Sequence, residues 1–391
     1  MTAASTPSND PLHQTISAIH DSPTRVALAI TGGGSGALTS LLAVPGASRT
    51  VLEGQVPYAA SALTDYLGNQ PDRFCDDATA LAMGVAAFQR ATILAGDETS
   101  RDTLLGLGAT ASLTTERPKR GDHRALITVQ TASSTTLARL DLAKDARTRA
   151  EEENLVTQLV IDMVARAAGV PPFSGLSLSD NDNLETRQTV ASPELAAVWN
   201  QQHPIAWSLV DGGWSLEPTS CPVGVLSGSF APRHRGHVEL QQAAESILEG
   251  SVCYELTAVN ADKPPLDFET IERRREVFTD RPLAVTSAAT FVEKSQLFPG
   301  ATFVLGVDTA ARVIAPRFYD HDADKLDSAL KTIRENGCRF LVAGRLDDDG
   351  FQDLACLDLP TQHRELFSPI PADVFRCDVS STAIRNSGNT C

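Results

Sequence analysis

The stretch Gly224-Val-Leu-Ser-Gly-Ser-Phe-Ala-Pro-Arg-His-Arg-Gly-His-Val-Glu-Leu240 decides how the second half of this chain folds. Residues 223–226 form a short apolar run ending in Ser-Gly-Ser, the pattern of a buried strand that enters a tight turn. From Gly236 onward, His237, Val238, Leu240, Ala243, Ala244 and Ile247 recur at helical spacing, and Gly250 supplies the stop. Between strand and helix lie His234, Gly236 and His237. A glycine-bearing turn that opens a helix aims backbone N–H groups and the positive end of the helix dipole at one point, which suits phosphate. Two histidines beside it can donate hydrogen bonds to a phosphate without carrying a fixed charge. A zinc site would need two more ligands, and neither a Cys pair nor a further His cluster lies nearby in the sequence.

Working outward, strand-like runs recur at 254–259, 283–286, 302–305 and 339–342. Helical patterns fall at 236–250, 267–279 and 323–336. This alternation predicts an α/β fold with a parallel, doubly wound sheet and a ligand at the strand C-termini. Ser227-Gly228-Ser229 follows the first run, residues 260–263 follow the second, and Asp308 follows the fourth.

The first half begins differently. Residues 25–30 are a strand-like run that breaks into Thr31-Gly-Gly-Gly-Ser-Gly36 and then a helix, again a cradle for an anion. No G-K-[ST] closes it, so it is not a P-loop. Residues 150–168 carry apolar side chains at helical spacing behind Glu151–Glu153, an acidic first turn. The cationic loop 116–124 and Asp180-Asn-Asp-Asn183 read as surface loops, the second lacking the glycine and terminal glutamate of a calcium loop. Trp199, Trp207 and Trp214 crowd into one short segment, which suggests packing against a domain more than stacking on a base. The expected organisation is a flexible tail at 1–22, a first domain at 23–195, a linker at 196–220 and a second domain at 221–391.

Composition bounds the class. The chain has 391 residues, 42% hydrophobic and 21% charged, and no apolar run approaches the ~20 residues of a membrane span. A net charge of −16 without a basic stripe argues against a nucleic-acid polymer as partner. Seven cysteines with no C-x-x-C pair favour reduced thiols, hence a cytoplasmic location.

The motif around His234 and His237 resembles the G-S-F-x-P-x-H-x-G-H signature of the nucleotidyltransferase superfamily. Asp378-Val-Ser-Ser-Thr-Ala-Ile-Arg385 is similar to the I-S-S-T-x-I-R segment of nicotinamide or nicotinate mononucleotide adenylyltransferases. Phe303-Val-Leu-Gly-Val-Asp-Thr309 resembles that family's strand-end G-x-D-T. The resemblance implies a Rossmann-like domain that transfers an adenylyl group from ATP, with Mg²⁺, to a pyridine mononucleotide. Carried over position by position, it implies catalytic roles for His237, His234 and Arg385. It implies ATP contacts from Gly228, Ser229, Phe230, Gly236, Ser380, Ser381 and Thr382, and acceptor contacts from Lys263 and Asp308, the latter alternatively a helix cap. Ala231 and Val379 depart mildly from the family pattern. Two other readings stay open: a nucleotidyltransferase with another phosphorylated acceptor, and a nucleotide-binding regulator without turnover.

Residues 31–58, with Val44-Pro-Gly-Ala-Ser48 and Gly54-Gln-Val-Pro-Tyr58, resemble the C-terminal domain of CinA, the nicotinamide mononucleotide deamidase family. Gly106-Leu-Gly-Ala-Thr110 is similar to that family's T-G-x-A-G-P segment. Aligned on residues 44–48, the family's nucleophilic serine falls on Thr31 and its activating lysine on Leu63, while Tyr58 is retained. A hydroxyl nucleophile needs a neighbouring base, and leucine supplies none. The resemblance therefore implies a degenerate deamidase-like domain, and a homo-oligomer, since such domains associate.

Overall fold

The computed structural model describes residues 10–116, 120–218, 221–259, 264–347 and 350–376. The chain is mixed α/β and divides into two compact units. One comprises Met1–Ser192 with Asp262–Thr270, the other Pro193–Ala261 with Ile271–Cys391.

The first unit runs α1 (Pro11–Asp21), β1 (Arg25–Thr31), α2 (Gly36–Ala43), α3 (Ala47–Thr50), β2 (Val51–Gln55), α4 (Ala60–Leu67), α5 (Asp77–Ala95), β3 (Leu104–Ser112), β4 (His123–Gln130), β5 (Ser134–Leu142), α6 (Arg149–Ala167) and β6 (Asn183–Val190). Its sheet has the order β2-β1-β3-β4-β5-β6. The pairings of β1 with β2 and β3 are parallel and the others antiparallel. Alternate strand residues face opposite sides. Leu28, Leu107 and Ile127 meet α1, α2 and α6 through Ile16, Ile19, Leu41, Val156 and Val160. Ala29 faces the other way and packs with Leu63, Leu67 and Met83. Residues 11–21, expected as part of a flexible tail, instead form α1. Pro11 starts the helix, the Asp10 carboxylate accepts from the Leu12 N–H, and Ile16 and Ile19 are buried in the core.

At 19 residues with a mean hydropathy of 1.3, α5 is long and apolar enough to cross a membrane. Here it is a core helix, burying Ala80, Leu81, Met83, Val85 and Phe88. Its approach to β3 is close enough to explain the glycines of Gly106-Leu-Gly108. A Cβ on Gly106 would lie 2.0 Å from the Phe88 nitrogen, and one on Gly108 would lie 2.3 Å from the Gly84 nitrogen. These glycines serve backbone packing.

The second unit runs α7 (Pro193–Trp199), β7 (Ile205–Ser208), β8 (Trp214–Ser215), β9 (Gly224–Ser227), α8 (Arg235–Leu248), β10 (Val252–Thr257), α9 (Phe268–Arg275), β11 (Leu283–Thr286), α10 (Phe291–Leu297), β12 (Thr302–Gly306), α11 (Val307–Val313), α12 (Ala323–Glu335), β13 (Arg339–Ala343), β14 (Arg345–Asp347), β15 (Gly350–Gln352) and β16 (Phe367–Pro369), with the first residues of α9 grouped with the first unit. Its large sheet has the order β16-β13-β12-β9-β10-β11-β7-β8. The strands from β16 to β11 are mutually parallel, and β7 and β8 add antiparallel. Numbered along the chain, the parallel strands stand 3-2-1-4-5-6, so the order reverses between β9 and β12. A sheet of this order opens a crevice at the carboxyl ends of those two strands.

The described residues of the expected linker at 196–220 are part of this unit. Trp207 on β7 is buried and meets Phe298 edge-on at 6.2 Å, and Trp199 is buried as well. The Arg275 guanidinium lies over the Trp214 ring at 5.3 Å. The tryptophans therefore pack the sheet edge.

Replacing Gly106 by Ala forces backbone apart between β3 and α5, so denaturant unfolding should show a loss of about 1–3 kcal/mol or more. An unchanged midpoint would show that the helix can shift without cost.

Candidate functional sites

The turn between β9 and α8 is shaped by Phe230. Its backbone has φ 45°, a left-handed conformation that costs a non-glycine residue about 1–3 kcal/mol and persists only where packing over-determines it. The packing is present. Phe230 is 2% exposed and meets Tyr254, Phe278 and His237 edge-on at 5.4, 5.2 and 5.1 Å. Its ring also lies over Gly228, where a Cβ would come within 2.8 Å of it. The Gly228 N–H donates to the Glu255 carbonyl at 3.0 Å, and Arg274 Nη1 donates to the Ser229 carbonyl at 3.0 Å. Ser229 itself is exposed, and Gly236 is buried in the first turn of α8.

His234 precedes α8 and His237 lies in its first turn, with the rings stacked at 3.8 Å. The His234 N–H donates to His237 Nδ1 at 3.2 Å. A neutral His237 must therefore carry its proton on Nε2, which makes that atom a donor. Burial, reinforced by the His234 and Arg233 charges, pushes His237 down to about 4, and burial also lowers His234. Both rings are therefore neutral near pH 7.

The arginines flanking His234 do not add free positive charge. Arg233 forks onto Asp280 at 2.7 and 3.0 Å, and Arg235 pairs with Glu239 at 2.5 Å. Asp308, the second residue of α11, is exposed and ion-paired with Arg345. Gly306, rather than Asp308, occupies the N-cap position. Asp308 stands at the carboxyl end of β12, beside the β9 turn in strand order. Lys263, Ser380, Ser381, Thr382 and Arg385 lie outside the described residues. Sequence reading missed the cage around Arg233 and the hydroxyl of Ser227, whose Oγ is buried at the end of β9 without a hydrogen-bond partner among the described residues.

The first unit holds a cavity of about 410 Å³ lined by Thr31, Gly32, Gly33, Ser35, Tyr58, Arg149 and Glu153 among others. Thr31 is buried at the end of β1, and Tyr58 is 68% exposed. Leu63 is 2% exposed within an apolar cluster, so the position that would need a base is part of the core. The glycine turn is already filled. Glu153, from α6, accepts from the Gly34 N–H at 2.9 Å, Ser35 Oγ at 3.0 Å and the Gly36 N–H at 3.4 Å. The chain's own carboxylate sits where an anion cradle was expected. Arg149 donates to the carbonyls of Gly32 and Thr114 at 2.7 and 3.2 Å. Asp182, in the loop that begins like a calcium site, instead binds Arg147, at distances down to 2.5 Å, together with the N–H groups of Ala143 and Ser179. Although burial opposes it, these donors hold its carboxyl well below the usual range.

No family model matches this chain, and no curated protein matches it. Similar solved structures include the competence/damage inducible protein CihA from Agrobacterium tumefaciens, at 15% identity, with a TM-score of 0.31, covering 42% of this chain and 99% of that one. A competence-damaged protein (CinA) superfamily protein from Escherichia coli is 15% identical with a TM-score of 0.28, covering 43% of this chain and 91% of its own. One from Enterobacter cloacae is 16% identical with a TM-score of 0.31, covering 43% and 99%.

Two outcomes follow from this geometry. His237 binds its proton more weakly in the folded chain than in the unfolded one, so its contribution is full above about pH 6.5 and is lost as pH falls toward 4. Urea titrations between pH 7 and 4 should lose that part of the slope in His237→Gln, and equal slopes would contradict the burial argument. Glu153→Ala leaves the N–H groups of Gly34 and Gly36 without their charged acceptor. It should cost about 1–3 kcal/mol, read by thermal or denaturant unfolding, and an unaltered stability would show that water replaces the carboxylate fully.

Proposed function

We propose that the second unit transfers an adenylyl group from ATP to nicotinamide or nicotinate mononucleotide, releasing pyrophosphate. The observation that carries this reading is the neutral, stacked His234–His237 pair, set at the start of α8 directly after the central strand β9. The acceptor's 5′-phosphate is already anionic, so its attack on the α-phosphate of ATP needs no general base. What the protein must supply is alignment of two mutually repelling anions and stabilisation of charge moving onto the leaving pyrophosphate. An Nε2–H on His237 can donate to that charge, and a neutral ring loses no proton when the charge arrives. Mg²⁺ enters with ATP as its phosphate complex. Among the described residues no cluster of three metal-type side chains would hold it independently.

Around this centre the motif roles are assigned by resemblance. Gly228, Ser229 and Phe230 shape the turn under the nucleotide. Ser380, Ser381, Thr382 and Arg385 address the β- and γ-phosphates, and Lys263 and Asp308 stand on the acceptor side. The ion pair of Asp308 with Arg345 puts a cation beside the carboxylate, which gives the acceptor side a donor as well as an acceptor.

The first unit is read as a CinA-like domain that does not deamidate. Supporting this are the motif spacing, the apolar burial of Leu63 and the Glu153 carboxylate that fills the glycine turn. A phosphate brought to that turn would meet a negative charge in its place.

The test is pyrophosphate release from MgATP, with nicotinamide mononucleotide and nicotinate mononucleotide supplied in turn. One acceptor should give release together with a dinucleotide, and His237→Ala should lose at least ~100-fold in kcat. Ammonia should not appear. Release with neither acceptor would contradict the adenylyl-transfer reading, and ammonia from the mononucleotide would contradict the silent first unit.

A further inference from the structure

The side chain that flanks the histidines, Arg233, turns toward Asp280, Val277 and Tyr254. It is 9% exposed and its terminal nitrogens are fully engaged. Nη1 donates to the Val277 carbonyl at 2.9 Å and to Asp280 Oδ1 at 2.7 Å. Nη2 donates to Asp280 Oδ2 at 3.0 Å and to the Tyr254 hydroxyl at 3.2 Å. The guanidinium also lies over two rings, 4.7 Å from the centre of Tyr254 and 4.9 Å from that of Phe278. Planar stacking combined with a two-pronged carboxylate pair is geometry that arginine supplies and lysine does not.

The same two rings hold Phe230, and Phe230 holds His237. The Tyr254 hydroxyl reaches His237 a second way, donating to its carbonyl at 3.4 Å. One residue outside the turn anchors the assembly. Asp280, in the segment between α9 and β11, is the carboxylate that receives both prongs of Arg233. The Arg233 pair holds that carboxyl below its usual range, so it remains ionised.

We propose that Asp280 is a positioning residue: through Arg233 it locks the 228–234 turn so that His237 keeps Nδ1 on the His234 N–H and presents its Nε2–H outward. The charged and titratable groups that act on His237 are His234 and Arg233, with the Tyr254 hydroxyl on its carbonyl, and Asp280 acts through Arg233. The kinetic consequence rests on the adenylyl-transfer reading, whereas the geometric one stands without it. A turn held at a left-handed phenylalanine has alternatives of lower backbone energy once its packing is loosened. Losing the anchor should therefore release the turn, and the hydrogen bond that selects the His237 tautomer goes with it. A staple that served stability alone would change the unfolding midpoint and leave that tautomer untouched.

The experiment is a long-range ¹H–¹⁵N correlation of the histidine ring nitrogens in the full chain, assigned by the signals missing from His237→Gln. Steady-state pyrophosphate release is measured in parallel. The wild type should show one tautomer, protonated on Nε2. Asp280→Asn should show a mixture, with kcat lowered about 10- to 100-fold and KM for ATP within about twofold. Asp280→Glu should restore both readouts, and Arg233→Lys should resemble Asp280→Asn. Should Asp280→Asn fail to fold by circular dichroism, Arg233→Lys and Asp280→Glu decide the matter in the same way. Folded Asp280→Asn and Arg233→Lys chains with wild-type ring signals would overturn the proposal. A wild type that releases no pyrophosphate removes the adenylyl-transfer reading only, because the ring signals still decide whether Asp280 positions His237.

Discussion

The burial of one aromatic ring governs the second unit. Phe230 occupies a backbone conformation it would not adopt alone, and it does so because Tyr254, Phe278, Gly228 and His237 leave its ring one place to go. That placement sets the path of the chain from β9 into α8. The path sets the stacking of His234 on His237, and the stacking with its hydrogen bond sets which ring nitrogen carries the proton. A charge-bearing side chain, Arg233, is used up in making this arrangement rigid. The positive charge of Arg233 is thus structural, and the ring donor beside it is a neutral imidazole.

The first unit handles the same problem in the opposite way. Its glycine turn leads from β1 into α2 with N–H groups gathered at one point, much as a phosphate cradle would gather them. Glu153 reaches across from α6 and satisfies them internally. The two units thus share a strand-turn-helix entry and differ in what faces it: a carboxylate in the first, neutral imidazoles in the second. The charge that faces each turn therefore differs, negative in the first and neutral in the second.

Local pattern made much of this legible. The runs at 283–286, 302–305 and 339–342 coincide with β11, β12 and β13 to within a residue or so, because buried parallel strands are continuous apolar runs bounded by turn residues. His234 and His237 stood out through their spacing around Gly236. Non-local features stayed hidden. Arg233 finds Asp280 across 47 residues and Ser35 finds Glu153 across 118, and no periodicity encodes such pairs. The tryptophan segment read as a linker because a two-residue strand such as β8 exists only through its pairing with β7. Residues 11–21 read as tail because the surrounding polar residues mask the Asp-Pro helix start, and only packing of Ile16 and Ile19 reveals the helix.

Adenylyl transfer is the central claim, and following the phosphorus atoms tests it most directly. In a single-turnover reaction with ATP labelled at the α-phosphate and nicotinamide or nicotinate mononucleotide as acceptor, the label should pass intact into a dinucleotide. ATP labelled at the γ-phosphate should yield labelled pyrophosphate. Label recovered as ADP, as AMP without dinucleotide, or wholly as unreacted ATP with both acceptors would contradict the account.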